Sequence, residues 1–167
     1  MYALLVLNNI IGGGMSSRLF QNIREELGLV YSIYSFPTSF RDCGMFTIYA
    51  ATSPDKANNV IECIGTEINN LITNGITENE LLLSKNQLKG NYCLSLDSTT
   101  GRMSAIGKSK TITGKVTDPE ETLKKIDSIR INDVLELIRW IFKEGETGVV
   151  ILGEESVSTE ALDFLKF

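Results

Sequence analysis

Arg24 and Tyr31 are the side chains with the clearest chemical potential in this sequence. They supply a guanidinium and a phenol, both hydrogen-bond donors, seven residues apart on either side of Gly28. They close a stretch from Gly12 to Ser32 (GGGMSSRLFQNIREELGLVYS) that opens on three consecutive glycines and two serines. No other segment combines permissive backbone, a guanidinium and a phenol so closely. Each also has an ordinary reading. Arg24 beside Glu25 and Glu26 fits a solvated helix residue, where an exposed ion pair is worth about 0–1 kcal/mol, and Tyr31 fits a strand aromatic. Gly12, Gly13 and Gly14 read either as a helix–helix turn or as backbone that approaches a ligand closely. A phosphate cradle at a helix start is the weaker alternative, because GGGMSS has no P-loop lysine and no third glycine of G-x-G-x-x-G.

The composition removes whole classes of chemistry. The sequence has no histidine, so a Ser-His-Asp triad, a Cys-His pair and any His-containing zinc site are impossible within these residues. Cys43, Cys63 and Cys93 are odd in number and show no C-x-x-C spacing, which argues against a disulfide framework or a thiolate zinc site. They fit buried thiols at Cys63 and Cys93 and a reducing, cytoplasmic compartment. A net charge of −5 without a basic run argues against nucleic acid as a partner. The apolar run from Met1 to Ile11 lacks a basic lead-in and falls short of the roughly 20 residues that span a bilayer. The reading is no membrane segment, and the run resembles a segment cut from a longer chain. A length of 167 residues suits one domain that buries roughly 70% of its unfolded surface.

The elements that must position Arg24 and Tyr31 follow from periodicity and punctuation. Ala3, Leu4, Leu7, Ile10 and Ile11 predict a helix stopped at Gly12, with a buried strand as the competing reading. Ser16 or Ser17 is expected to cap a second helix with Leu19, Phe20, Ile23 and Leu27 on its apolar face, ended by Gly28. VYSIYSF and MFTIYAAT predict a hairpin turning at Arg41 to Gly44, covered on both faces, with Pro37 at an edge or bulge. Ser53-Pro54 and the Thr77/Glu80 capping box predict two long helices, one ending at Asn74-Gly75 and the other near Asp97, packed as an antiparallel pair. Further helices are expected over 98–110, after Asp118-Pro119, from an Asn132 cap through Phe142 with Trp140 in the core, and over 158–165. Thr147 to Leu152 (TGVVIL) predicts a buried strand. A hairpin, a run of helices and one late strand make an α+β fold, an antiparallel sheet covered by helices, with at least one further strand before Met1 or from a partner.

GGGMSSRLFQNIREELGLVYSIYSF resembles the C-terminal homologous half of the zinc metallopeptidases that include pitrilysin, insulin-degrading enzyme and mitochondrial processing peptidase, especially the bacterial processing-peptidase-like branch. The likeness continues to VVILGEE and covers nearly the whole sequence. It implies a single C-terminal half-domain over 1–167, of ferredoxin-like processing-peptidase fold, lacking its first strand. In that family two such halves close like a clamshell around a chamber, and the other half carries zinc on an H-x-x-E-H motif. The resemblance implies that zinc and its ligands lie in an N-terminal half, on the same or a separate chain, and it is compatible with a homo- or hetero-dimer. It also implies that Arg24 and Tyr31 are catalytic and bind peptide substrate, and that Gly12, Gly13 and Gly14 lie near the peptide. No metal ligand is expected in this segment, which alone should be inactive. The alternative is a non-catalytic interaction or assembly module of the same family.

Overall fold

The computed structural model describes residues 1–40, 42–143, 145–153 and 158–166. The opening apolar run is helix α1, Tyr2–Ile11, and it buries Val6, Leu7, Ile10 and Ile11. A two-residue α-helical start at Arg18–Leu19 then widens into a π-helix over Phe20–Glu26. The hairpin follows as β1, Ser32–Ser39, and β2, Gly44–Ala51, antiparallel in the register Ser32↔Ala51 to Ser39↔Gly44. Pro37 pairs with Phe46 without a break in register, so β1 carries no bulge there. It is an edge strand, because the two strands form the whole sheet among the described residues.

A short 3₁₀ turn, Pro54–Lys56, leads into α2, Ala57–Asn74, which ends at Gly75 with φ +69°. Helix α3, Glu78–Ser95, starts on the expected capping box, with the Glu80 amide donating to Thr77 Oγ1 and the Thr77 amide to the Glu80 carboxylate. The order continues through α4, Thr99–Thr113, α5, Pro119–Asp127, α6, Ile131–Ile141, and α7, Thr159–Asp163. The core gathers α1, Leu19, Ile23, Val30, Ile33 and the inner faces of α2, α3 and α6. The architecture is α+β, as the element pattern predicts.

Several expectations change. Ser17 does not cap the second helix: its hydroxyl donates back to the Gly14 carbonyl at 2.6 Å, and Leu27, expected on the apolar face, is 54% exposed because the chain is already leaving the helix there. Helices α2 and α3 do not pair; α3 lies mainly against α1 and α5, and α2 against α6 and α7. Helix α6 starts one residue before Asn132, with the Arg130 amide donating to Asp133. Trp140 is exposed, since the core side of α6 carries Val134 and Ile138 and two residues on from Ile138 the helix has turned away. Cys93 is exposed near the end of α3, beyond its buried Leu81 and Ser84, and Cys63 is half-buried. The hairpin is covered on one face only: Phe46, Ile48 and Ala50 pack on the core, whereas Tyr34, Phe36, Met45 and Tyr49 are exposed. Thr147 to Leu152 is not a strand. It has no ladder partner among the described residues, and Val150 and Leu152 are fully exposed, because an apolar run forms a strand only where a second strand meets it.

Candidate functional site

The glycine run begins where α1 meets β1. The Ser35 amide donates to the Gly12 carbonyl at 3.0 Å, and Ser35 Oγ donates to Asn8 Oδ1 at 2.9 Å. A Cβ on Gly12 would sit 2.6 Å from the Ser35 nitrogen, so this position requires glycine for backbone contact. One on Gly13 would strike Asn9. Gly14 has more room, facing only the end of Gln87, and its carbonyl receives Ser17. The run is therefore a close crossing of helix and strand, and the flexible-turn reading is set aside at Gly12.

Arg18 is the polar neighbour of the site that sequence reasoning missed. Its Nε donates to Glu80 Oε1 at 2.6 Å, and its Nη2 donates to Glu80 Oε2 and the Gly75 carbonyl, each at 2.9 Å. This fork fastens the start of the second helix to the α2–α3 turn. Burial alone would raise the Glu80 carboxyl, but the hydrogen bonds from Arg18 and Thr77 outweigh it and hold the group below its ordinary range. The only local signal was the capping-box place of Glu80; the partner lies 62 residues away.

The backbone between Arg24 and Tyr31 is held at successive points. Leu27 N–H reaches back five residues to the Asn22 carbonyl, and Leu29 N–H donates to the Ile23 carbonyl. Gly28 takes φ +59°, a conformation that favours glycine, and its carbonyl accepts from Lys56 Nζ at 3.1 Å. The Leu29 carbonyl accepts from Thr52 Oγ1, and the Tyr31 N–H donates to the Ala51 carbonyl at 2.8 Å. Ile23 and Val30 are buried beneath this turn. Both polar side chains thus leave a fixed backbone. Arg24 is exposed and lies over the Phe20 ring, its guanidinium carbon 4.7 Å from the centroid, and it makes no hydrogen bond or ion pair among the described residues. Tyr31 is 76% exposed, and its phenol likewise has no partner among them. No hydrogen bond joins the two residues.

Behind the π-helix an open groove of about 170 Å³ is lined by Asn22, Ile23, Leu27, Cys63, Thr66 and Glu67. Partial burial, then Glu62 and Glu67, push the Cys63 thiol up, which makes it a poor nucleophile. A zinc ion finds no donor set here. The sequence has no histidine, and no three Cys, Asp or Glu side chains converge among the described residues. No described helix is long and apolar enough to cross a membrane.

This is an α+β domain in which Arg24 and Tyr31 leave a fixed turn, with no cluster of metal-ligating side chains among the described residues. Residues 1–88 match the peptidase M16 inactive domain. The sequence is 43% identical over 143 residues to the uncharacterised zinc protease YmxG of Bacillus subtilis, covering 86% of this chain and 35% of that protein. It is 38% identical to the uncharacterised zinc protease SCO5738 of Streptomyces coelicolor, covering 83% of this chain and 30% of that one. Among solved structures, a conserved protein from Enterococcus faecalis superposes with a TM-score of 0.71 at 28% identity, over 83% of this chain and 32% of that one. A chain of Complex III2 from Candida albicans superposes with a TM-score of 0.70 at 26% identity, over 83% and 36%. The chain belongs to the peptidase M16 family, the family of the zinc proteases named above, and carries its inactive, C-terminal domain. It spans about a third of the length of those relatives.

Proposed function

We propose that this chain is the non-zinc half of a zinc-dependent endopeptidase, binding peptide substrate and donating hydrogen bonds to it across a chamber. Zinc and the H-x-x-E-H motif then belong to an N-terminal half, in the same chain or a partner chain, and these residues alone hydrolyse nothing. One observation carries the reading. Arg24 and Tyr31 leave a fixed turn with their donors exposed and unclaimed among the described residues. As the scissile carbonyl is attacked its oxygen gains negative charge, and a guanidinium and a phenol already held in place stabilise it without reorganising. Gly13 and Gly14, more open than Gly12, are the parts of the glycine run fit to touch peptide. The three free thiols fit a reducing compartment, and we place the protein in the cytoplasm.

The test uses the full-length protein and a fluorogenic peptide. Arg24→Ala and Tyr31→Phe each lower kcat on the order of 10²-fold, the usual effect of losing one oxyanion donor. Bound zinc and melting temperature stay as in the parent, since both side chains are exposed. Unchanged turnover in both variants refutes the role. The second reading, a non-catalytic assembly module, is favoured by the likeness to the Complex III2 chain. Degenerate metal ligands in the remainder of the protein would support it; an intact H-x-x-E-H supports the peptidase.

A further inference from the structure

We propose that Phe20 is a positioning residue for Arg24: its ring takes one face of the guanidinium and leaves the N–H edges free for substrate. The inference rests on the reading that Arg24 donates to peptide. The contact lies within the roughly 6 Å at which a cation is attracted to a ring face. Its consequence depends on which surface of the guanidinium is used. Arginine presents its five N–H groups around the rim of a plane and none on the face. A carboxylate partner would consume the rim, as Glu80 does with Arg18. An aromatic partner restrains the group and consumes nothing.

The local sequence enforces that choice. In the π-helix, whose turn closes over five residues, the neighbours of Arg24 within the helical run lie four and five residues back, at Phe20 and Leu19. Neither is acidic. The two carboxylates nearest in sequence, Glu25 and Glu26, stand at spacings that do not face Arg24, and neither pairs with it among the described residues. Phe20 opens the π-helix beside the fully buried Leu19, and its own ring is half-buried. The contact therefore joins a half-buried ring to an exposed cation, and it removes part of the rotamer freedom that a long side chain would otherwise lose on meeting substrate.

The experiment is a double-mutant cycle in the full-length protein with a fluorogenic peptide. Phe20→Leu lowers kcat/KM about two- to five-fold, the factor that an exposed cation–π contact supports. Phe20→Tyr restores it, and Phe20→Leu adds nothing once Arg24→Ala is present. An equal loss in both backgrounds overturns the proposal, since Phe20 would then serve packing or touch substrate by itself; so does full activity of Phe20→Leu where Arg24→Ala is impaired. A separate readout needs no activity. In protein labelled at arginine nitrogen, the ring current shifts the Arg24 Nε–H resonance upfield, and Phe20→Leu abolishes the shift. A resonance indifferent to Phe20→Leu refutes the stacking itself, whereas indifference of turnover to Arg24→Ala with the shift intact refutes only the substrate role of Arg24.

Discussion

Arg18 and Arg24 carry the same side chain six residues apart and end in opposite states. Arg18 donates from Nε and Nη2 to Glu80 and the Gly75 carbonyl; Arg24 lies over a ring and donates to nothing among the described residues. Local sequence could not foresee the difference, because the carboxylate that claims Arg18 comes from a remote helix start, and spacing drew attention to Arg24 and Tyr31 while only the family resemblance implied a role for them. The Arg18–Glu80 pair gives a prediction with a definite sign. Glu80 titrates below its ordinary range in the folded protein, so its contribution is present above the unfolded value of about 4.3 and is lost as pH falls through the folded value. Glu80→Gln should lower the stability of the full-length protein by about 1.5 kcal/mol near pH 7, the scale of a charge-assisted hydrogen bond. Denaturant unfolding across pH should show the gap between variant and parent closing below about pH 4. A gap that stays constant with pH would rule out the charge as its source.

Elements defined by local chemistry were legible. Thr77 and Glu80 start α3, and Asp118 accepts from the Glu120 amide at the start of α5, because a cap is complete within four residues. Features that need a distant partner were not. The π-helix shares the apolar spacing of an α-helix, so Leu19, Phe20 and Ile23 announced a helix but not its widened turn. TGVVIL had strand composition and no strand to meet among the described residues. The glycine run shows the same division, for its permissive backbone was plain while the reason for it lay in β1. Gly12→Ala should destabilise the full-length protein by about 1–3 kcal/mol, since its Cβ meets the Ser35 backbone. Gly14→Ala should be nearly neutral, because only the flexible end of Gln87 must move. Thermal melts of the two variants decide: equal losses would mean that the crossing at Ser35 does not constrain Gly12.

At the scale of the molecule, the distribution of exposed apolar surface is the feature that local rules leave unexplained. Val150 and Leu152 stand 96% and 101% exposed, and Leu94, Met103 and Ile112 project from the ends of α3 and from α4. A two-stranded hairpin is marginal without further strands, and soluble proteins seldom leave such apolar stretches open. The chain spans only about a third of the length of its relatives. Paired with a strand from outside these residues, Val149 to Leu152 would gain the ladder that it lacks in this structure. Hydrogen exchange on the full-length protein tests this, because an amide in a ladder opens far more slowly than one facing water. The amides of 149–152 should then exchange on the timescale of those in β1 and β2. Exchange as fast as that of an open loop would mean that TGVVIL stays unpaired and that its apolar face serves something other than the sheet.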